Sequence, residues 1–275
     1  GAIPVGFYPD AEDVEVIHHL IDFVDARFVV TEDQEQTDKV LAVKDRLPRL
    51  EKIIVDEIHE LRTYNEPLLI GFKQVQEMGR KLDREHPQLF EKNIASIRPE
   101  DVAMLSTTSG TTAFPKLAML THKGLLSMAH GQDQLDPMGS GDQMVSILPP
   151  AWIGERLFSL AWALYKGFTV CFAEEPETQQ RDLREIGPQL MFSAPRIWDS
   201  MVTMVQERIK DALWLKRLVY HIFMSVGGKV VDRRLSKKRV FLFWRALYTI
   251  GEFLLYRPLR DRLGLLKARK VYTGG

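Results

Sequence analysis

Leu105-Ser106-Thr107-Thr108-Ser109-Gly110-Thr111-Thr112-Ala113-Phe114-Pro115-Lys116-Leu117-Ala118-Met119-Leu120-Thr121-His122 sets a hydroxyl-rich turn and one lysine between two apolar runs. A polyphosphate needs short donors, backbone N–H groups that come close and a cation to offset charge, and a Ser/Thr/Gly turn ending in lysine supplies all three. Gly110 frees the backbone to turn. Thr108, Ser109, Thr111 and Thr112 offer hydroxyls to phosphate oxygens, or to a magnesium ion in the case of Thr108, and Lys116 is the candidate charge-stabilising group. A Walker loop runs Gly-Lys-Ser/Thr into a helix. Here Pro115 precedes Lys116 and the following Leu-Ala-Met-Leu has strand character, so the segment is expected to be a hairpin-like loop between strands.

Outward from this loop, the pattern alternates. Toward the N-terminus, spacing predicts helix over 11–23, strand over 27–30, helix over 34–47 with Pro48 closing it, and strand over 52–55. A polar connection over 57–100 contains one expected helix at 70–84, and 101–106 is the strand that delivers the loop. Toward the C-terminus, strand is expected at 116–121, 144–148, 169–172 and 190–192, and helix at 123–135, 156–165 and 182–186. Such wiring predicts an α/β fold of mostly parallel sheets flanked by helices. Beyond Pro195 the pattern becomes helical, at 197–216, 218–226 and 235–256, with a break at Gly227-Gly228, a stop at Pro258 and one last strand at 268–272.

The order Thr108-Ser-Gly-Thr-Thr-x-x-Pro-Lys116, then an apolar strand and Thr121-His122, resembles the phosphate-loop signature of the adenylate-forming (AMP-binding) acyl-CoA synthetases. Ala113 and Leu117 depart from that pattern, standing where its members usually carry glycine. Two further segments extend the likeness. Leu148-Pro149-Pro150-Ala151-Trp152-Ile153-Gly154-Glu155-Arg156, followed by Gly167-Phe168-Thr169-Val170, resembles the segment lining the acyl pocket, and Phe192-Ser193-Ala194-Pro195-Arg196-Ile197-Trp198 resembles a strand-to-helix connection. The helical stretch after Pro195 resembles an insertion of the long-chain fatty acyl members, and Tyr272-Thr273-Gly274-Gly275 resembles the start of the glycine-rich approach to the adenine ring.

The resemblance implies a partial N-terminal AMP-binding domain over 1–275, with a first α/β part at 1–100, the phosphate loop and acyl pocket at 101–196, and a helical insertion at 197–267. The same resemblance implies that the C-terminal domain of such enzymes lies outside this chain. It implies activation of a long-chain fatty acid by ATP and Mg²⁺ to an acyl-adenylate, then thioester formation with coenzyme A. Lys116 is then catalytic, Thr108 to Thr112 together with Lys116, Gly274 and Gly275 contact nucleotide, Thr108 faces the metal, and Trp152 faces the substrate. Trp152 occupies a position that more often carries histidine. Its indole has one N–H donor and no titratable base, so it either shapes the acyl channel or is a core tryptophan at a loop-to-helix junction. Glu155 beside Arg156 is expected to be a local ion pair or helix-start charge. The chain alone is expected to be inactive. The alternative from another class is a non-catalytic family derivative that binds nucleotide or acyl chain, or an interaction module.

With 45% hydrophobic and 27% charged residues among 275, the composition is that of a globular protein. A single cysteine, Cys171, excludes an internal disulfide framework and points to a reducing cytoplasm. No apolar run approaches the roughly 20 residues of a membrane-spanning helix. The net charge is zero, yet Lys229 to Lys270 carries 13 Lys and Arg against 3 Asp and Glu. That basic end reads first as a solvated helical face. Phe241-Leu242-Phe243-Trp244 beside Lys237, Lys238 and Arg239 would also suit peripheral contact with the inner face of a membrane. Nucleic acid is not an expected partner, because these aromatics fall at helical spacing and the whole chain has no net charge. The seven histidines show no metal-ligand spacing, with His18 and His19 adjacent and the rest isolated.

Overall fold

A computed structural model describes residues 1–8, 13–108, 116–175 and 177–274, with the side chain of Glu60 excepted. The chain separates into two compact units, one of residues 1–127 with 149–153 and the other of 128–148 with 154–275.

In the first unit, α1 (Val14–Phe23) starts at Asp13, whose carboxylate accepts the Glu15 N–H at 2.9 Å, and it buries Ile17, Leu20 and Ile21. Next come β1 (Phe28–Thr31), α2 (Gln34–Leu41), β2 (Lys52–Val55) and β3 (Leu69–Gly71). The three strands form a parallel sheet in the order β1-β2-β3. Ile53 and Val55 of β2 are fully buried with Ile21, Val40 and Val43, the central-strand pattern a covered parallel sheet requires. Two buried hydroxyls, Thr31 and Thr37, satisfy each other at 2.8 Å. Helices α3 (Phe72–Glu85) and α4 (Leu89–Ala95) follow, then β4 (Val102–Thr108), β5 (Lys116–Thr121) and α5 (His122–Leu135), whose second half belongs to the other unit.

The strands β4 and β5 pair antiparallel from Val102↔Thr121 to Thr108↔Lys116. This is the expected hairpin. The opening segment joins it, with Val5 bridged parallel to Leu105 and the Leu105 N–H donating to the Pro4 carbonyl at 3.0 Å.

The second unit contains β6 (Gln143–Ser146), α6 (Ile153–Glu155), a π-helical stretch at Arg156–Trp162, α7 (Ala163–Lys166), β7 (Thr169–Phe172), α8 (Gln179–Ile186) and β8 (Leu190–Ser193). These lead to α9 (Pro195–Lys210), α10 (Trp214–Leu235), α11 (Leu242–Gly251), a second π-helical stretch at Glu252–Tyr256, α12 (Arg257–Arg262) and β9 (Lys270–Thr273). Its four strands form a parallel sheet in the order β7-β6-β8-β9.

Three expectations for the helical stretch fail, the first being helix over 236–241, where the chain instead turns between α10 and α11. The helix α10 runs unbroken through Gly227 and Gly228, where a break was expected. A Cβ on Gly227 would lie 3.0 Å from the Tyr256 hydroxyl, which donates to the Phe223 carbonyl at 2.5 Å. Packing of Tyr256 against the bare backbone offsets the glycine cost of about 1 kcal/mol per residue. Pro258 likewise does not end the helix. It is the second residue of α12, directly behind the π-helical stretch Glu252–Tyr256, and the helical run continues through it to Arg262.

Candidate active site

The hairpin register brings two predicted residues face to face. Thr108 closes β4 and Lys116 opens β5 directly opposite, with Thr108 Oγ1 donating to the Lys116 carbonyl at 3.3 Å. Both are exposed, and among the described residues no carboxylate pairs with the Lys116 ammonium. One residue back, Thr107 Oγ1 is buried without a partner among the described residues. The hairpin mouth therefore offers hydroxyls and a cation that internal bonds scarcely use. Ser109, Gly110, Thr111 and Thr112 lie outside the described residues, as do Ala113 and Gly275.

Trp152 is half-buried in the first unit, at the end of a turn in which its N–H donates to the Pro149 carbonyl at 3.0 Å. Two prolines fix the backbone ahead of it. Gly274 lies in the second unit, directly after β9 and in van der Waals reach of the Phe192 ring.

In the second unit, parallel strands β6, β8 and β9 end in Ser146, Ser193 and Thr273, so three hydroxyl residues line the carboxyl edge of the sheet. In open α/β sheets that edge is where ligands bind. Against it lies an aromatic layer. Phe158 stacks on Phe192 with ring centroids 4.3 Å apart, lies 5.2 Å from Tyr272 and meets Trp162 edge-on at 5.6 Å. Gly154 makes the layer possible, because a Cβ there would fall 2.5 Å from two Phe192 ring atoms. The Tyr272 hydroxyl donates to Asp136 and accepts from Gln132 at 3.0 Å. Burial, reinforced by the Asp136 carboxylate, pushes the Tyr272 phenol far up, while Lys270 and Tyr272 hold Asp136 below its ordinary value.

Glu155 stands in the first turn of α6, at the start of the helix, as one of the two expectations has it. The other, an ion pair with Arg156, does not hold among the described contacts: Glu155 is 1% exposed, and neither carboxylate oxygen has a well-formed hydrogen bond among the described residues. Ser146, Ser159 and the Leu148 N–H are the polar groups close enough to oppose, without reversing, the upward push that burial gives its pKa. The adjoining π-helical stretch is anchored by the Ser159 hydroxyl, which donates to the Glu155 carbonyl at 2.6 Å. Ser193 Oγ is also buried, with no partner among the described residues. Sequence reasoning passed over this polar group beneath the sheet edge. Its one signal was Gly154 next to an acidic residue at the head of a mostly apolar helix.

A family model for AMP-binding enzymes matches residues 1–247. The chain belongs to the AMP-binding enzyme family. Among curated relatives, it is 27% identical over its whole length to the long-chain-fatty-acid–CoA ligase heimdall of Drosophila melanogaster, covering 41% of that protein. It is 29% identical, again over its whole length, to the long-chain-fatty-acid–CoA ligase ACSBG2 of Xenopus laevis, covering 37%. The chain thus spans about two-fifths of the length of these relatives. Among solved structures, a long-chain-fatty-acid-CoA ligase from Archaeoglobus fulgidus superposes with a TM-score of 0.54 at 18% identity, over 75% of this chain and 37% of that one. An anthranilate CoA ligase bound to anthranoyl-AMP superposes at 0.51 and 20% identity, over 71% of this chain and 36% of that one. The shared fold is that of adenylate-forming enzymes.

Proposed function

We propose that the chain works within an ATP-dependent long-chain fatty acyl-CoA ligase and supplies its phosphate-binding hairpin and part of its acyl pocket. The observation that supports this reading best is the opposition of Thr108 and Lys116 across the mouth of a Ser/Thr/Gly loop. The activity printed in the names of the relatives agrees with it.

In the first half-reaction a carboxylate oxygen of the fatty acid attacks the α-phosphorus of ATP. The bond from that phosphorus to its bridging oxygen breaks, and pyrophosphate leaves with the electron pair. In the second, the sulfur of coenzyme A attacks the acyl carbon, AMP leaves, and the thiol proton passes to solvent. The first step brings two anions together, so charge compensation and positioning carry most of the rate. Lys116 offsets charge on the phosphates, and Ser109, Thr111 and Thr112 donate to their oxygens, with Gly110 letting the backbone close in. Gly274 and Gly275 border the adenine. Trp152 walls the acyl channel and transfers no proton.

Magnesium fits the hairpin's donors. A hard cation takes hydroxyl and phosphate oxygens, and among the described residues Thr108 Oγ1 is held only by its long bond to the Lys116 carbonyl. When bound with the triphosphate, the ion neutralises phosphate charge. The whole protein is read as cytoplasmic and in peripheral contact with the inner face of a membrane; no helix among the described residues is long and apolar enough to cross one.

The test is pyrophosphate release by the whole protein with ATP and a long-chain fatty acid, followed by acyl-CoA formation on adding coenzyme A. Fatty-acid-dependent release is the expected result, with the present chain alone releasing little or none. ATP binding without release, whatever the acyl chain length, would favour a non-catalytic member of the family.

A further inference from the structure

The outward face of α11 and the π-helical stretch after it is apolar along its whole length. Leu242, Phe243, Ala246, Ile250, Phe253 and Leu254 recur at helical spacing, and all are exposed, Leu242 by 80%, Phe253 by 68% and Phe243 by 65%. The opposite face is spent on α10. Gly251 is buried against Phe223, the Lys229 ammonium lies 4.7 Å above the Trp244 ring, and Arg234 lies 5.1 Å from the Tyr248 ring centroid. Arg245, Thr249 and Glu252 fall between the two faces. This segment therefore has a packed face, a polar flank and an uncovered apolar stripe.

Cations stand at both ends of the stripe. Lys237, Lys238 and Arg239, all exposed, form the turn ahead of α11, and exposed Arg257 follows the π-helical stretch. The turn is tied down. The Lys238 N–H donates to the Arg233 carbonyl at 2.8 Å, the Arg233 guanidinium donates to the Arg239 carbonyl at 3.3 Å, and that guanidinium lies 4.9 Å from the Phe241 ring centroid. Held so, the three cations sit next to Phe241, which is 63% exposed.

We propose that this stripe and its flanking cations form a docking surface for an anionic lipid bilayer, with the aromatic and aliphatic side chains entering the headgroup boundary and Lys237, Lys238 and Arg239 engaging lipid phosphates. Charge decides the occupant. An apolar face alone would fit a protein partner equally well, whereas a short apolar helix bracketed by exposed cations matches the negative surface and shallow apolar layer of a membrane leaflet. The inference deepens the peripheral-contact part of the proposed function and does not depend on adenylation. A surface of this kind would let a poorly soluble acyl substrate be taken up where it is dissolved.

The test is sedimentation with vesicles of phosphatidylcholine alone and of phosphatidylcholine with phosphatidylglycerol, using both the present chain and the whole protein. Binding to the anionic vesicles, weakening as salt rises, is expected. Reversing Lys237, Lys238 and Arg239 to glutamate should weaken it by roughly tenfold or more, since each cation near an anionic surface contributes several-fold. Phe243→Ser with Phe253→Ser should weaken it as well, and circular dichroism should show both variants folded. No binding by the whole protein, or equal binding by wild type and both variants, would overturn the proposal and point to a face covered by protein. Pyrophosphate release assayed with detergent-dispersed fatty acid should be unchanged in the charge-reversed protein, which separates failure of docking from failure of the ligase reading.

Discussion

The mouth of the β4–β5 hairpin and the carboxyl edge of the β7-β6-β8-β9 sheet meet opposite physical demands. At the hairpin, polar groups are exposed and loosely bonded, with Thr108 Oγ1 on a 3.3 Å contact and Lys116 in water. At the sheet edge, the polar groups are buried, as with Glu155, or locked, as with Tyr272 against Asp136, and the aromatic rings are in tight contact. The first arrangement suits a charged ligand that brings its own counter-charges. The second suits a fixed wall whose shape matters more than its charge. On the proposed function the chain separates chemistry from support, and substitutions in the two places should fail differently.

The largest effect is expected at the hairpin. Lys116→Ala in the whole protein should lower acyl-adenylate formation by roughly 100- to 1,000-fold, the usual cost of losing one group aimed at developing charge, with no change in thermal stability. Pyrophosphate release and a melting curve measure the two sides, and an unchanged rate would remove Lys116 from the mechanism. At the sheet edge the pattern should reverse. Gly154→Ala drives a methyl into the Phe192 ring and should cost about 1–3 kcal/mol in denaturant unfolding, the range for overpacking. Undiminished stability would show that the layer has room to yield.

The smallest effect is expected at Glu155. Burial raises its pKa in the folded state, so the folded protein holds this proton more tightly than the unfolded chain does. Its contribution is fully present below the unfolded value of about 4.3 and is lost as pH rises through the higher folded value. Glu155→Gln keeps the neutral shape at every pH. Its melting temperature should match wild type near pH 4 and exceed it increasingly above, and parallel curves would mean that the carboxyl finds a partner.

Legibility followed the same division. Strands 52–55, 116–121 and 169–172 lie where the apolar runs put them, and the hairpin follows from Pro115 and the strand after Lys116, because these signals are local. The three-residue strand β3 and the helix α4 were missed; the first is too short to show a period, and the second lies in a polar stretch with no buried residue. Gly227-Gly228 misled because the compensating ring, Tyr256, is distant in sequence. Glu155 misled for a related reason. Its neighbour Arg156 suggested a pair, while its burial, with Ser146 of β6 among the few polar groups near it, arises only when the helix packs in the second unit. Nothing in the sequence joins Tyr272 to Asp136.

The most direct test is a crystal structure of the whole protein with a non-hydrolysable ATP analogue and magnesium. The triphosphate should rest between Thr108 and Lys116, against the loop that joins them. Density for nucleotide elsewhere, with that loop empty, would contradict the account.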